Sequence, residues 1–135
     1  MRSFISVRRA CQIILVINGA AVLMHLLILL RILPHDFVWG GRLEGDSEFI
    51  VFEALSILVL AVFMTVVAAR AGYILKDRFS RTVRIAIWVL FALMVLNTLG
   101  NLASSSGLEM WLMTPLTGLS ALLLLRVAIE KEKDV

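Results

Sequence analysis

The sequence predicts an all-α fold: a bundle of four transmembrane helices with both termini in the cytoplasm. Three observations predict it. Hydrophobic residues make up 61% of the chain and the mean hydropathy is +0.97, a combination that excludes an ordinary soluble domain. Four apolar runs, each long enough to cross a hydrocarbon core of ~30 Å as a helix, are divided by short polar segments. Eleven of the thirteen basic residues lie in the N-terminal segment, the second connection and the C-terminal tail. Only Arg31 and Arg42 flank the first connection, and the third has none. The positive-inside rule therefore assigns the termini and the second connection to the cytoplasm.

The 135 residues suit one membrane domain, with spans at about 10–33, 49–72, 85–103 and 108–129. Arg2, Arg8 and Arg9 ahead of the first run resemble the start of a signal peptide. That run is longer than a signal-peptide core, and no small-residue cleavage site follows, so an uncleaved span is expected. Pro34 is expected to stop it, and Arg31 to reach the headgroups from its last turn. The second span is expected to fray past Arg70 towards Leu75. Only Ser104, Ser105, Ser106 and Gly107 divide the last two spans, which should form a tight helical hairpin. Thr114-Pro115 should mark a kink in the fourth. Tyr73 and Trp88 fall at the inner boundary and Trp39 and Trp111 at the outer, as an aromatic belt requires.

Net charge is +3, but the basic residues sit between apolar runs, so the membrane surface accounts for them and nucleic acid does not. The cluster from Lys76 to Arg84 reads as a topology anchor, with anionic lipid binding as a secondary role. Cys11 is the only cysteine, which excludes an internal disulfide and a cysteine-based metal site. No phosphate loop, zinc-protease motif or nucleophile elbow occurs, and His25 and His35 alone make no metal site. No cofactor, catalytic residue or metal ligand is therefore assigned.

Residues 33–53 stand apart from the rest, with five acids, an arginine, a histidine and three glycines. The Gly40-Gly41 pair permits a tight turn, and Asp46 or Ser47 is placed to cap the second helix. Polar groups inside a membrane are costly, so those within the spans should face the bundle interior. Asn18 and His25 share a face of the first span; Glu53 and Ser56 share one in the second. Asn97 and Asn101 lie together in the third, and Thr114, Thr117 and Ser120 follow in the fourth. Small residues at Ala68 and Gly72, Gly100 and Ser104, and Thr114 and Gly118 would let helices approach closely.

The alternating directions of the spans put His25, Glu53, Asn97, Asn101 and Thr114 in the outer half, beneath Trp39 and Arg42. A buried carboxylate must be paired or protonated, and Arg42 is the nearest partner the sequence offers Glu53, with His25 and Arg31 as substitutes. Trp39, Arg42, Glu53, His25, Asn97 and Asn101 are accordingly the candidate ligand-binding residues. Each has a structural counterpart: Asn97 and Asn101 as interhelical hydrogen-bond glue, His25 as a satisfied core histidine, Arg42–Glu53 as a latch.

Several segments resemble an uncharacterised family of small bacterial integral membrane proteins with four spans. They are Leu33-Pro34, Val38-Trp39-Gly40-Gly41-Arg42-Leu43, Phe52-Glu53 with Ser56-Ile57, and Ala71-Gly72-Tyr73-Ile74. Phe91-Ala92-Leu93, Leu96-Asn97-Thr98-Leu99-Gly100-Asn101-Leu102 and Thr114-Pro115-Leu116-Thr117 complete the set. The Trp-Gly-Gly-Arg segment is the most specific. The resemblance implies four spans in a bacterial inner membrane and brings no activity with it.

Two functions compete on this reading. One is binding or transport of a small polar molecule in an outer-leaflet pocket, by analogy with small four-span multidrug transporters, whose carboxylate lies elsewhere. The other is a structural or accessory subunit, in a homo-oligomer or a larger membrane complex, with no ligand of its own. A membrane enzyme using His25 or His35 with Glu53 is the least supported, because no nucleophile or metal set accompanies them.

Overall fold

The computed structural model describes residues 4–33, 46–76, 78–107 and 109–131. It has four helices in up-and-down order: α1 (Val7–Leu29), α2 (Asp46–Arg70), α3 (Ser80–Leu102) and α4 (Thr114–Ile129). A π-helical turn, Glu109–Met113, leads into α4. All four are long and apolar enough to cross a membrane, the last when its π turn is counted. The bundle is a ring in which α1 packs on α2 and α4, and α3 packs mainly on α4. The α2–α3 seam is the sparsest between neighbours.

The helix ends have local causes. Ser6 caps α1, its Oγ accepting from the Arg9 amide at 3.3 Å. α1 ends at Leu29, four residues before the expected stop. The Ile32 amide donates to Leu27 O and the Arg31 amide to Ile28 O, both at 2.9 Å, while Arg31 has φ +61°. These are the two bonds of a Schellman cap, which ends the helix before Pro34 is reached. Arg31 thus lies beyond the last turn, with its guanidinium 5.9 Å from the Phe49 ring centre.

The same device ends α2. Tyr73 donates to Ala68 O at 3.0 Å and Gly72 to Ala69 O at 3.1 Å, with Gly72 at φ +83°. The expected fraying towards Leu75 is replaced by a sharp stop, because glycine takes the left-handed angle at no steric cost. α3 begins earlier than expected, at Ser80. The kink expected at Thr114-Pro115 takes the form of the π turn. Proline has no amide hydrogen and crowds the carbonyl four residues back, so the α pattern gives way just before it.

Packing differs between the two ends. At the end where α1 begins and α4 ends, all four helices share one core. Ile14, Phe63, Val67, Ile87, Leu124 and Val127 are its centre. Polar bonds close this basic end: Arg126 Nε donates to Ile5 O at 3.1 Å and Arg70 Nη2 to Glu130 O at 3.3 Å. Arg126 also pairs with Glu130. Gln12 Nε2 donates to Tyr73 Oη at 2.7 Å, beneath the Arg8 guanidinium, which lies 5.3 Å from the same ring. At the opposite end packing is pairwise. Ile28 and Phe49 join α1 to α2, while α3 and α4 meet through polar groups. The bundle is therefore two helical hairpins, fused at the basic end and parted towards the other.

Tyr73 and Trp88 lie towards the basic end and Trp111 towards the other, all exposed, as an aromatic belt requires. Of the small-residue pairs, Gly118 approaches α3, where a Cβ would lie 3.8 Å from Thr98 Cγ2. Gly72 and Gly100 have no such neighbour within 4 Å of an added Cβ.

Candidate functional site

The parting of the hairpins leaves a cavity of about 570 Å³ lined by all four helices. Helical register stacks its walls in tiers about 5.4 Å apart. The common core is the floor, at Ile14, Phe63, Leu90 and Leu124. One turn above it stand Asn18 on α1 and Ser120 on α4. The next tier holds Ser56, Asn97 and Thr117, and the last holds His25 and Asn101. Leu, Ile, Val and Met side chains fill the surface between these polar groups.

The upper α1–α2 wall is built on one bond. His25 Nδ1 lies 2.7 Å from Glu53 Oε2, and Glu53 is fully buried. Glu53 sits seven residues into α2, roughly 10 Å from its start, where hydration cannot reach it. A carboxylate there needs a partner, and the His25 ring supplies one from α1. Among the described residues His25 Nε2 makes no hydrogen bond, and it is not sealed from the cavity that the ring lines. Trp39, Arg42 and the Gly40-Gly41 pair lie outside the described residues, and so does the Arg42–Glu53 contact.

The α3–α4 wall is built on Thr117. Its Oγ1 lies 2.8 Å from Met113 O and 3.0 Å from Thr98 Oγ1, and it accepts from Asn101 Nδ2 at 3.3 Å. Thr98 Oγ1 in turn stands 2.8 Å from Met94 O. Asn101 is thereby buried and fixed to α4, the interhelical role that its residue type allows. Asn97, one turn below, lines the cavity, is exposed and makes no hydrogen bond among the described residues. Thr114 is not part of the lining; its carbonyl accepts from Thr117 Oγ1 at 3.2 Å.

The lowest polar tier, just above the apolar core, holds two residues outside the candidate set. Asn18 is 4% exposed and Ser120 is 2% exposed, yet both line the cavity. Asn18 Nδ2 donates to Ile14 O at 3.0 Å, leaving Oδ1 with no partner among the described residues. The Ser120 hydroxyl is likewise without one there, and neither atom is sealed off. The signal was in the sequence, since Asn18 stands seven residues before His25 and Ser120 three after Thr117. The candidate residues lie in the outer half, and the hairpins part more deeply than that.

No family model, curated protein or solved structure matches this chain. Its chemistry must be read from the cavity itself. Among the described residues no three His, Cys, Asp or Glu side chains gather as a metal site would require. What the cavity does offer is a set of hydrogen-bonding atoms held apart by apolar wall, the usual make-up of a small-molecule site.

Proposed function

We propose that this protein binds a small molecule in the cavity between its hairpins and serves to hold or carry it at the membrane. One observation supports this above the rest. Asn18, Ser120, Asn97 and His25 turn unpaired polar atoms into a single space. A lipid chain filling that space would leave each of them unsatisfied, at about 1–3 kcal/mol apiece. A tenant with hydrogen-bonding groups removes that penalty. By the positive-inside rule the cavity opens on the outer side of the membrane, a bacterial inner membrane on the resemblance described above. The sparse α2–α3 seam is the natural side entrance from the bilayer.

The site differs from a purely polar pocket at the surface. It reaches mid-membrane and is mostly apolar, so its ligand is an apolar body carrying a few polar groups. The test is native mass spectrometry of protein taken directly from membranes into lipid nanodiscs. A retained mass that is lost in Asn18→Leu, with the fold kept, supports the reading. Equal occupancy of both proteins by ordinary lipid overturns it.

A second reading has its own support. The His25–Glu53 and Asn101–Thr117 bonds each tie two helices together, as the polar residues of a structural or accessory subunit would. On that reading the protein acts within a homo-oligomer or larger complex, and cavity variants leave its assembly unchanged.

A further inference from the structure

We infer that the cavity selects a protonated amine carried on an apolar body, and that His25, oriented by Glu53, is its principal acceptor. This deepens the binding reading and rests on it. The inference starts from what the lining atoms can accept and donate. A buried carboxylate accepts hydrogen bonds only, so an ionised Glu53 draws the imidazole proton to Nδ1 at the 2.7 Å contact. The other ring nitrogen, Nε2, then carries a lone pair, and the ring that bears it lines the cavity. Any further partner of Glu53 that favours its ionised form strengthens this tautomer.

The floor repeats the bias. Asn18 uses one amide hydrogen on Ile14 O, so its carbonyl oxygen is left to accept beside one remaining N–H. Asn18 is more than nine-tenths buried and lies seven residues below His25 on the same face of α1. The two acceptors are thus stacked about 10 Å apart along one wall. Ser120 and Asn97 can either donate or accept, and so adapt to whatever the ligand presents.

Charge points the same way. No lysine or arginine lines the cavity among the described residues, so an anionic head group would find no counter-charge there. A cation bound at His25 would lie one imidazole from the Glu53 carboxylate, whose contacts are not limited to His25. Met24, Met94 and Met113 line the space between with polarizable thioethers that adapt to the shape of an apolar body.

Three probes of matched size distinguish the outcomes: naphthylethylamine, naphthylethanol and naphthylacetate. Each is titrated calorimetrically into the full chain in zwitterionic nanodiscs, with empty nanodiscs correcting for partition into lipid. The amine should bind about tenfold more tightly than the alcohol, as a charge-assisted hydrogen bond exceeds a neutral one. The acid should bind weakest. Glu53→Gln should remove most of the amine's advantage over the alcohol. An acid that binds as well as the amine, or an alcohol that equals it, overturns the inference while leaving a binding site in place. Failure of all three to bind the unmodified protein overturns the binding reading too. The ranking on that protein decides the matter even where Glu53→Gln does not fold.

Discussion

His25 and Glu53, from different helices, meet at 2.7 Å beside the cavity, and the carboxylate is wholly buried. The pair joins α1 to α2 where the hairpins have already parted. Removing His25 takes from Glu53 a hydrogen bond that water cannot replace at so buried a site. We expect His25→Leu to cost about 3 kcal/mol, the range for breaking a buried pair. Replacing both residues should cost less than the sum of the single losses, with coupling on the order of 1 kcal/mol or more. Unfolding in mixed micelles measures this. Additive losses would show that the contact carries no energy.

Thr117 differs from Thr65 in what its hydroxyl touches. Both bond a carbonyl of the preceding turn, Thr117 to Met113 O and Thr65 to Ala61 O, each at 2.8 Å. Thr117 alone also receives Asn101 and meets Thr98 on the neighbouring helix. Thr117→Val should therefore destabilise by roughly 0.6–1.7 kcal/mol, the measured scale of hydrogen bonds between membrane helices. Thr65→Val should leave stability nearly unchanged. Equal effects in a thermal melt would remove the α3–α4 polar seam from the account.

Gly72 and Gly100 should respond oppositely to alanine. Neither has an atom within 4 Å of an added Cβ, so space does not separate them. Backbone angle does. Gly72 sits at φ +83° in the cap of α2, where an L side chain costs roughly 1–2 kcal/mol. Gly100 lies inside α3, where alanine is favoured by up to about 1 kcal/mol over glycine. Gly72→Ala should lower the melting temperature and Gly100→Ala should hold or raise it. A reversal would mean that the Schellman cap does not form.

The start of α1, the end of α4 and the turn that closes α2 lie at the basic end of the bundle. Reporter fusions at Ser3, Asp77 and Val135 should therefore agree with one another. The positive-inside rule predicts a cytoplasmic signal for all three and the opposite for Gly45 and Ser105. A cytoplasmic signal at Gly45 would turn the mouth of the cavity to the inside and exclude capture of a ligand from the outer leaflet.

The sequence by itself determined the number of spans, because hydrocarbon-compatible length is a property of local composition. It also placed His25, Asn97 and Asn101 on inward faces, since unpaired polar groups are costly in lipid. Helix ends were less legible. Arg31 and Gly72 stop α1 and α2 through left-handed angles, and a left-handed arginine has no signature in composition. Partner choice was decided only by the tertiary structure. The packing of α1 against α2 brought His25 to Glu53, while Arg42 lies outside the described residues. The depth of the cavity was decided in the same way. Asn18 and Ser120 become a floor only because the four helices share a core at one end and part at the other. A span's sequence records which face is polar, but the distance to the opposing helix comes from how the side chains of all four interlock.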